Sequence, residues 1–192
     1  MRLLKAFLFQ PKKYLTCSIV GTPTIDGNIV TDISTSNYIR YATADILSGH
    51  NWEICLKVWW NGTTNNCIYL RVADNASYLR VETNGGYTWN GYDTSNSSWW
   101  VHNTNFPRTG GWYYIKLKFE LKTGTFRIYY GTNSTNMTLS RSVSKNTEIQ
   151  LRYLTASRYI YSNANAGNGK IDVGGSYIKV ENTKYNLKLP SA

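Results

Sequence analysis

From Gly169 to Val180 the chain reads Gly-Lys-Ile-Asp-Val-Gly-Gly-Ser-Tyr-Ile-Lys-Val, and no other segment narrows its folding options as much. Ile178 and Val180 alternate with Tyr177, Lys179 and Glu181. A period of two belongs to a half-buried strand, not to a helix. Residues 170–173 read as a second short apolar strand, with Gly174-Gly175 as the turn between the two.

The alternation recurs upstream. In Trp52–Trp60, Trp52, Ile54, Leu56, Val58 and Trp60 fall on one face and Glu53, Cys55, Lys57 and Trp59 on the other. Residues 112–121 repeat the pattern, with Tyr113, Ile115, Leu117, Phe119 and Leu121 on one side, and Lys122-Thr123-Gly124 then turns the chain into 125–131. Further strands are expected at 29–34, 38–42, 67–73, 78–83, 139–143 and 148–154, with an irregular passage over 84–111. No segment beyond the N-terminus passes the helical period test. Roughly ten to twelve short strands at this spacing predict an all-β fold, an antiparallel β-sandwich. Composition agrees: 16 Tyr, 7 Trp and 5 Phe stand against 17% charged residues, which suits pleated, half-buried surfaces and excludes a disordered chain.

The formal net charge is +10, but the basic residues are dispersed, and only Arg2, Lys5, Lys12 and Lys13 form a local group free of acids. A solvated face is the expectation, and nucleic acid is not an expected partner. Cys17, Cys55 and Cys67 lack zinc-ligand spacing and read as free thiols. Residues 1–24 read as a short N-terminal arm or anchor ahead of a sandwich over 25–192. In the arm Leu3, Leu4, Phe7 and Leu8 could form one apolar helical face for docking on a neighbour, and an extra edge strand is the alternative. Lys5 and Pro11 break the apolar stretch too early for a secretion signal, and no stretch reaches membrane-spanning length.

Taken in order, Ser36-Asn37-Tyr38-Ile39, the 51–58 strand, Trp112-Tyr113-Tyr114-Ile115-Lys116-Leu117-Lys118-Phe119, Phe126-Arg127-Ile128-Tyr129-Tyr130-Gly131-Thr132 and the closing 169–180 block resemble the concanavalin A-like, laminin G-like jelly roll of tailed-bacteriophage structural proteins. The resemblance spans about residues 25–185. It implies a virion component made in the host cytoplasm and displayed in a fibre, tail or head decoration. Its partners would be other virion proteins, further copies of itself (a trimer by fibre analogy) and, for some members, host surface polysaccharide.

Chemistry-bearing residues are few. Glycoside hydrolysis needs two carboxylates flanking one bond, and Glu53, Glu82 and Glu120 each stand alone on their strands, so no enzyme activity is expected. His50 and His102 lack a nucleophile partner, and Asn90, Asp93 and Asn96 are too few carboxylates for calcium, so neither metal nor cofactor is expected. The aromatic passage is the sharpest candidate for ligand binding: Tyr87, Trp89, Tyr92, Trp99, Trp100 and His102 are interleaved with amides and hydroxyls. Such rings cover the apolar faces of sugars, and equally the core or a subunit contact. The expected function is therefore a non-enzymatic virion structural protein able to bind glycans, with a secreted lectin module as the alternative and a glycosidase behind both.

Overall fold

The computed structural model describes residues 12–34, 36–47, 49–60, 68–73, 78–84, 88–93, 98–102, 110–123, 125–144, 159–164 and 169–191. The anchoring candidates Leu3, Leu4, Phe7 and Leu8, and the strand expected at 148–154, lie outside them. In chain order the strands are β1 (Lys13–Thr16), β2 (Ser18–Val20), β3 (Thr24–Asp26), β4 (Ile29–Ile33), β5 (Tyr38–Ala42), β6 (Trp52–Trp60), β7 (Ile68–Ala73) and β8 (Tyr78–Asn84). They continue with β9 (Thr88–Asp93), β10 (Ser98–His102), β11 (Gly111–Glu120), β12 (Thr125–Gly131), β13 (Thr138–Ser144), β14 (Tyr159–Ala164), β15 (Gly169–Val180) and β16 (Thr183–Lys188). One helical turn, α1 (Ala44–Leu47), interrupts them.

These strands form a β-sandwich of two sheets. One runs β1-β16-β15-β6-β11-β12-β13, with β4 also paired to β15 and β3 to β4, and the other runs β10-β9-β8-β7-β14-β5-β2. The pairing of β1 with β16 is parallel and the other described pairings are antiparallel. Between the layers, Ile54, Leu56 and Val58 from β6, Ile115, Leu117 and Phe119 from β11, and Ile39 and Tyr41 from β5 are each no more than 1% exposed. The alternation read from the sequence is thus the alternation of burial: Trp52, Ile54, Leu56 and Val58 of β6 and Tyr113, Ile115, Leu117 and Phe119 of β11 are removed from water.

Pairing decides between the two alternatives for residues 13–20 and corrects the expected turn at Gly174-Gly175. Residues 13–20, assigned to the arm, are edge strands of the sandwich itself: β1 lies on β16, Cys17 is buried and donates its N–H to the Lys188 carbonyl at 3.0 Å, and β2 then lies on β5 in the opposite sheet. Described pairing therefore favours the edge-strand alternative for this part of the arm. Gly174-Gly175 is not a hairpin turn. β15 runs straight through it, and its register on β6 passes from Asp172↔Lys57 to Tyr177↔Cys55, so that four residues stand opposite Leu56. Asp172 holds this bulge by accepting the Gly175 N–H at 3.0 Å, while Ser176 donates its hydroxyl to the Asp172 carbonyl at 2.7 Å and accepts the Lys57 N–H at 2.9 Å. A side chain at Gly175 would come within 2.7 Å of Lys57 Cδ, which is why the bulge needs glycine there.

The hydroxyl of Tyr41 is buried with no well-formed hydrogen bond among the described residues, having only the weak thiol of Cys17 beside it. Burial pushes its ionisation well above the ordinary phenol range. Because an unpartnered hydroxyl contributes desolvation cost without a bond, Tyr41→Phe should leave unfolding free energy unchanged or raise it by up to about 1 kcal/mol. Urea denaturation checks this, and a loss beyond that size would reveal a bond to that oxygen.

Candidate functional site

The passage 84–111, expected to be irregular, contains the hairpin strands β9 and β10 at the edge of the seven-stranded sheet. Their register is Trp99↔Tyr92, Trp100↔Gly91, Val101↔Asn90 and His102↔Trp89. Opposed residues share a face and neighbours along a strand do not. Trp89, Trp100 and His102 therefore fall on one face, and Tyr92 and Trp99 on the other. Tyr87 lies outside the described residues. Asn90 and Asp93 alternate in the same way and do not share a face.

Register identifies the two faces. Thr83 opposes Trp89, its same-face neighbour Val81 opposes Leu70, Leu70 opposes Ser162, and Ser162 opposes Ile39, which is fully buried between the sheets. The register positions of Trp89, Trp100 and His102 thus belong to the core-side face. Tyr92 and Trp99 occupy the outer one, in a single transverse row of register positions: Arg40, Tyr161, Arg71, Arg80, Tyr92, Trp99. The sequence showed an aromatic cluster; pairing divides it and adds three arginines from distant segments to one half.

On the nine-stranded sheet the outer face carries a covered polar network. Tyr177 donates its hydroxyl to Glu53 Oε1 at 2.5 Å, and Lys116 Nζ lies 3.3 Å from the same oxygen. Under them Cys55, although on the outward side of β6, is fully buried, and this burial pushes its thiol up to about 11. Burial and the bond to Glu53 likewise raise Tyr177 far above the phenol range.

At the end of this sheet a groove is lined by Trp52 and Phe119 and by carboxylates that the sequence left apart: Glu53, Glu120 and Glu181, interspersed with Lys118, Arg127 and Lys179. Only strand pairing brings them together. Glu120 is bonded by Arg127 at 3.1 Å and by the Thr123 hydroxyl at 3.1 Å, and these donors lower its pKa. Glu181 accepts the Asn51 N–H at 2.7 Å and the Asn51 side-chain amide at 3.1 Å, and its pKa falls for that reason. Both are therefore held as acceptors in charged form. Among the described residues no group of three or more His, Cys, Asp or Glu is placed to hold a metal ion.

Comparison with known proteins places the fold. No family model and no curated protein sequence matches the chain. Among solved structures, basic winged bean lectin with Tn-antigen has a TM-score of 0.60 at 9% identity, over 88% of this chain and 96% of the lectin. Galectin LEC-6 of Caenorhabditis elegans has a TM-score of 0.53 at 10% identity, over 81% of this chain and 99% of the galectin. Tailspike protein 2 of an Escherichia coli O157:H7 bacteriophage has a TM-score of 0.59 at 12% identity, over 92% of this chain but 27% of the tailspike. At such identities it is the fold that is shared, and it is a concanavalin A-like, lectin-type jelly roll.

Proposed function

We propose that the chain is a non-enzymatic, glycan-binding jelly-roll module of a virion structural protein, which assembles with further copies of itself and meets host surface polysaccharide. The carrying observation is the row on the outer face of the seven-stranded sheet, in which Tyr92 and Trp99 stand directly opposite each other beside Arg80. Aromatic rings supply apolar area for sugar faces, and guanidinium groups supply donors for their oxygens. The likeness to a phage tailspike and to two lectins supports the reading. Two of the groove carboxylates support the non-enzymatic reading: a glycosidase acid requires a raised carboxyl pKa, whereas the donors around Glu120 and Glu181 lower theirs.

A glycan array read with the parent and with Tyr92→Ala and Trp99→Ala tests this. Each replacement should weaken binding by about ten-fold at most, the worth of one aromatic contact. A parent that binds no glycan, or variants that bind as well as the parent, would reject the site. Detecting the chain in purified particles by mass spectrometry tests the virion assignment, while finding it only as a free secreted chain would favour a lectin module instead.

A further inference from the structure

The outer face of the nine-stranded sheet is a second charged surface, independent of the aromatic row. Across five adjacent strands its register reads Lys184, Lys179, Glu53, Lys118, Arg127. At about 4.8 Å per strand this row is about 20 Å long. Two of its opposed pairs, Lys179 with Lys184 and Lys118 with Arg127, are like-charged, an arrangement that destabilises a bare sheet. The carboxylates of the face are already engaged: Glu53 by Lys116 and Tyr177, Asp172 by Lys57 at 2.8 Å, and Glu120 by Arg127. Lys118, Lys170, Lys179, Lys184 and Lys188 have no ion pair with a described carboxylate.

Several of these ammonium groups are held in place rather than trailing in water. Lys184 Nζ stands 4.2 Å from the centroid of Tyr177, Lys170 Nζ 4.8 Å from that of Trp59, and Lys188 Nζ 5.7 Å from that of Tyr14. That geometry discriminates between polyanions. Single-stranded nucleic acid needs open ring faces on which bases stack, and the ring beside the proposed row, Tyr177, is covered by Lys184. An acidic polysaccharide needs only spaced point charges, which lysine supplies.

We propose that this face binds an acidic polysaccharide laid across the strands, its carboxylates taken by Lys118, Lys179 and Lys184. The surface lies opposite the glycan site proposed above and does not depend on it.

The test uses the full chain with polygalacturonate as probe, dextran as the neutral control and an oligothymidylate as the competing polyanion, followed by calorimetry at low and physiological salt. Polygalacturonate should bind at low salt and weaken as salt rises, with dextran silent. Lys118→Gln/Lys179→Gln/Lys184→Gln should lower the affinity about ten-fold, each exposed charge being worth roughly a factor of two. Its melting temperature should equal or exceed the parent's, because two like-charged pairs are relieved, and Trp99→Ala should bind polygalacturonate unchanged. The proposal is overturned if the parent ignores polygalacturonate at low salt, if the triple variant binds it like the parent, or if oligothymidylate binds more tightly. Loss of binding in Trp99→Ala alone would also overturn it, while leaving the glycan site on the other sheet standing.

Discussion

Replacing Phe119 by alanine should lower the unfolding free energy by about 4 kcal/mol, the middle of the range for a buried aromatic. Phe119 is 1% exposed on β11 and lies in register between Trp52 of β6 and Phe126 of β12. Its ring centroid is 5.7 Å from that of Trp52, with the planes tilted by 34°. Removing the ring takes away that contact and leaves a cavity. Tyr14→Ala is the control, since Tyr14 is 53% exposed on an edge strand, and it should cost no more than about 0.5 kcal/mol. Urea unfolding of both variants with unchanged m-values measures the difference. A loss below about 1 kcal/mol for Phe119→Ala would mean that the two sheets are not packed through this residue.

The same strands show how much of the fold was legible beforehand. The expected segments 38–42, 52–60 and 125–131 coincide with β5, β6 and β12, because a period-two pattern is local and burial follows it directly. Gly174-Gly175 was not resolvable in this way. A glycine pair signals either a turn or a bulge, and the choice is made by β6, which pairs with β15 on both sides of the glycines and so forbids the chain from folding back. Cys55 is a comparable case: its position in the alternation says outward, yet it is buried on a face where Tyr177 of β15 and Lys116 of β11 stand opposite it.

The candidate sites follow the same rule. The aromatic residues of 87–102 stand out in composition, but which of them share a face depends on the β9–β10 register. Arg40, Arg71, Arg80 and Tyr161 come from four separate strands, and nothing local marks them as neighbours of Tyr92. Glu53 and Glu120 each stand alone on their strands in the sequence, whereas β6, β11 and the β15–β16 turn, which adds Glu181, converge at one end of the sheet. What a strand shows in sequence is its own two faces; what a sheet binds with is a row across strands.

Stability should fall at alkaline pH, and Cys55 should account for a large share of the fall. Burial raises the folded-state thiol from an ordinary value near 9.0 to about 11, so the native chain keeps a proton that the unfolded chain has released across that window. Stability is therefore fully present below the ordinary thiol range and is lost as pH climbs towards the folded value, by about 2 kcal/mol for a shift of this size. Tyr177, raised by burial and by its bond to Glu53, and Lys57, raised by its bond to Asp172, act in the same direction at still higher pH. Unfolding free energies of the parent and of Cys55→Ala, measured by urea titration at about pH 8 and about pH 10.5, separate the contributions. The variant loses some packing at both pH values, but its alkaline decline should be shallower than the parent's by about 2 kcal/mol. Parallel declines in the two proteins would show that the thiol ionises freely, and that the Tyr177–Glu53–Lys116 cover over Cys55 opens in solution.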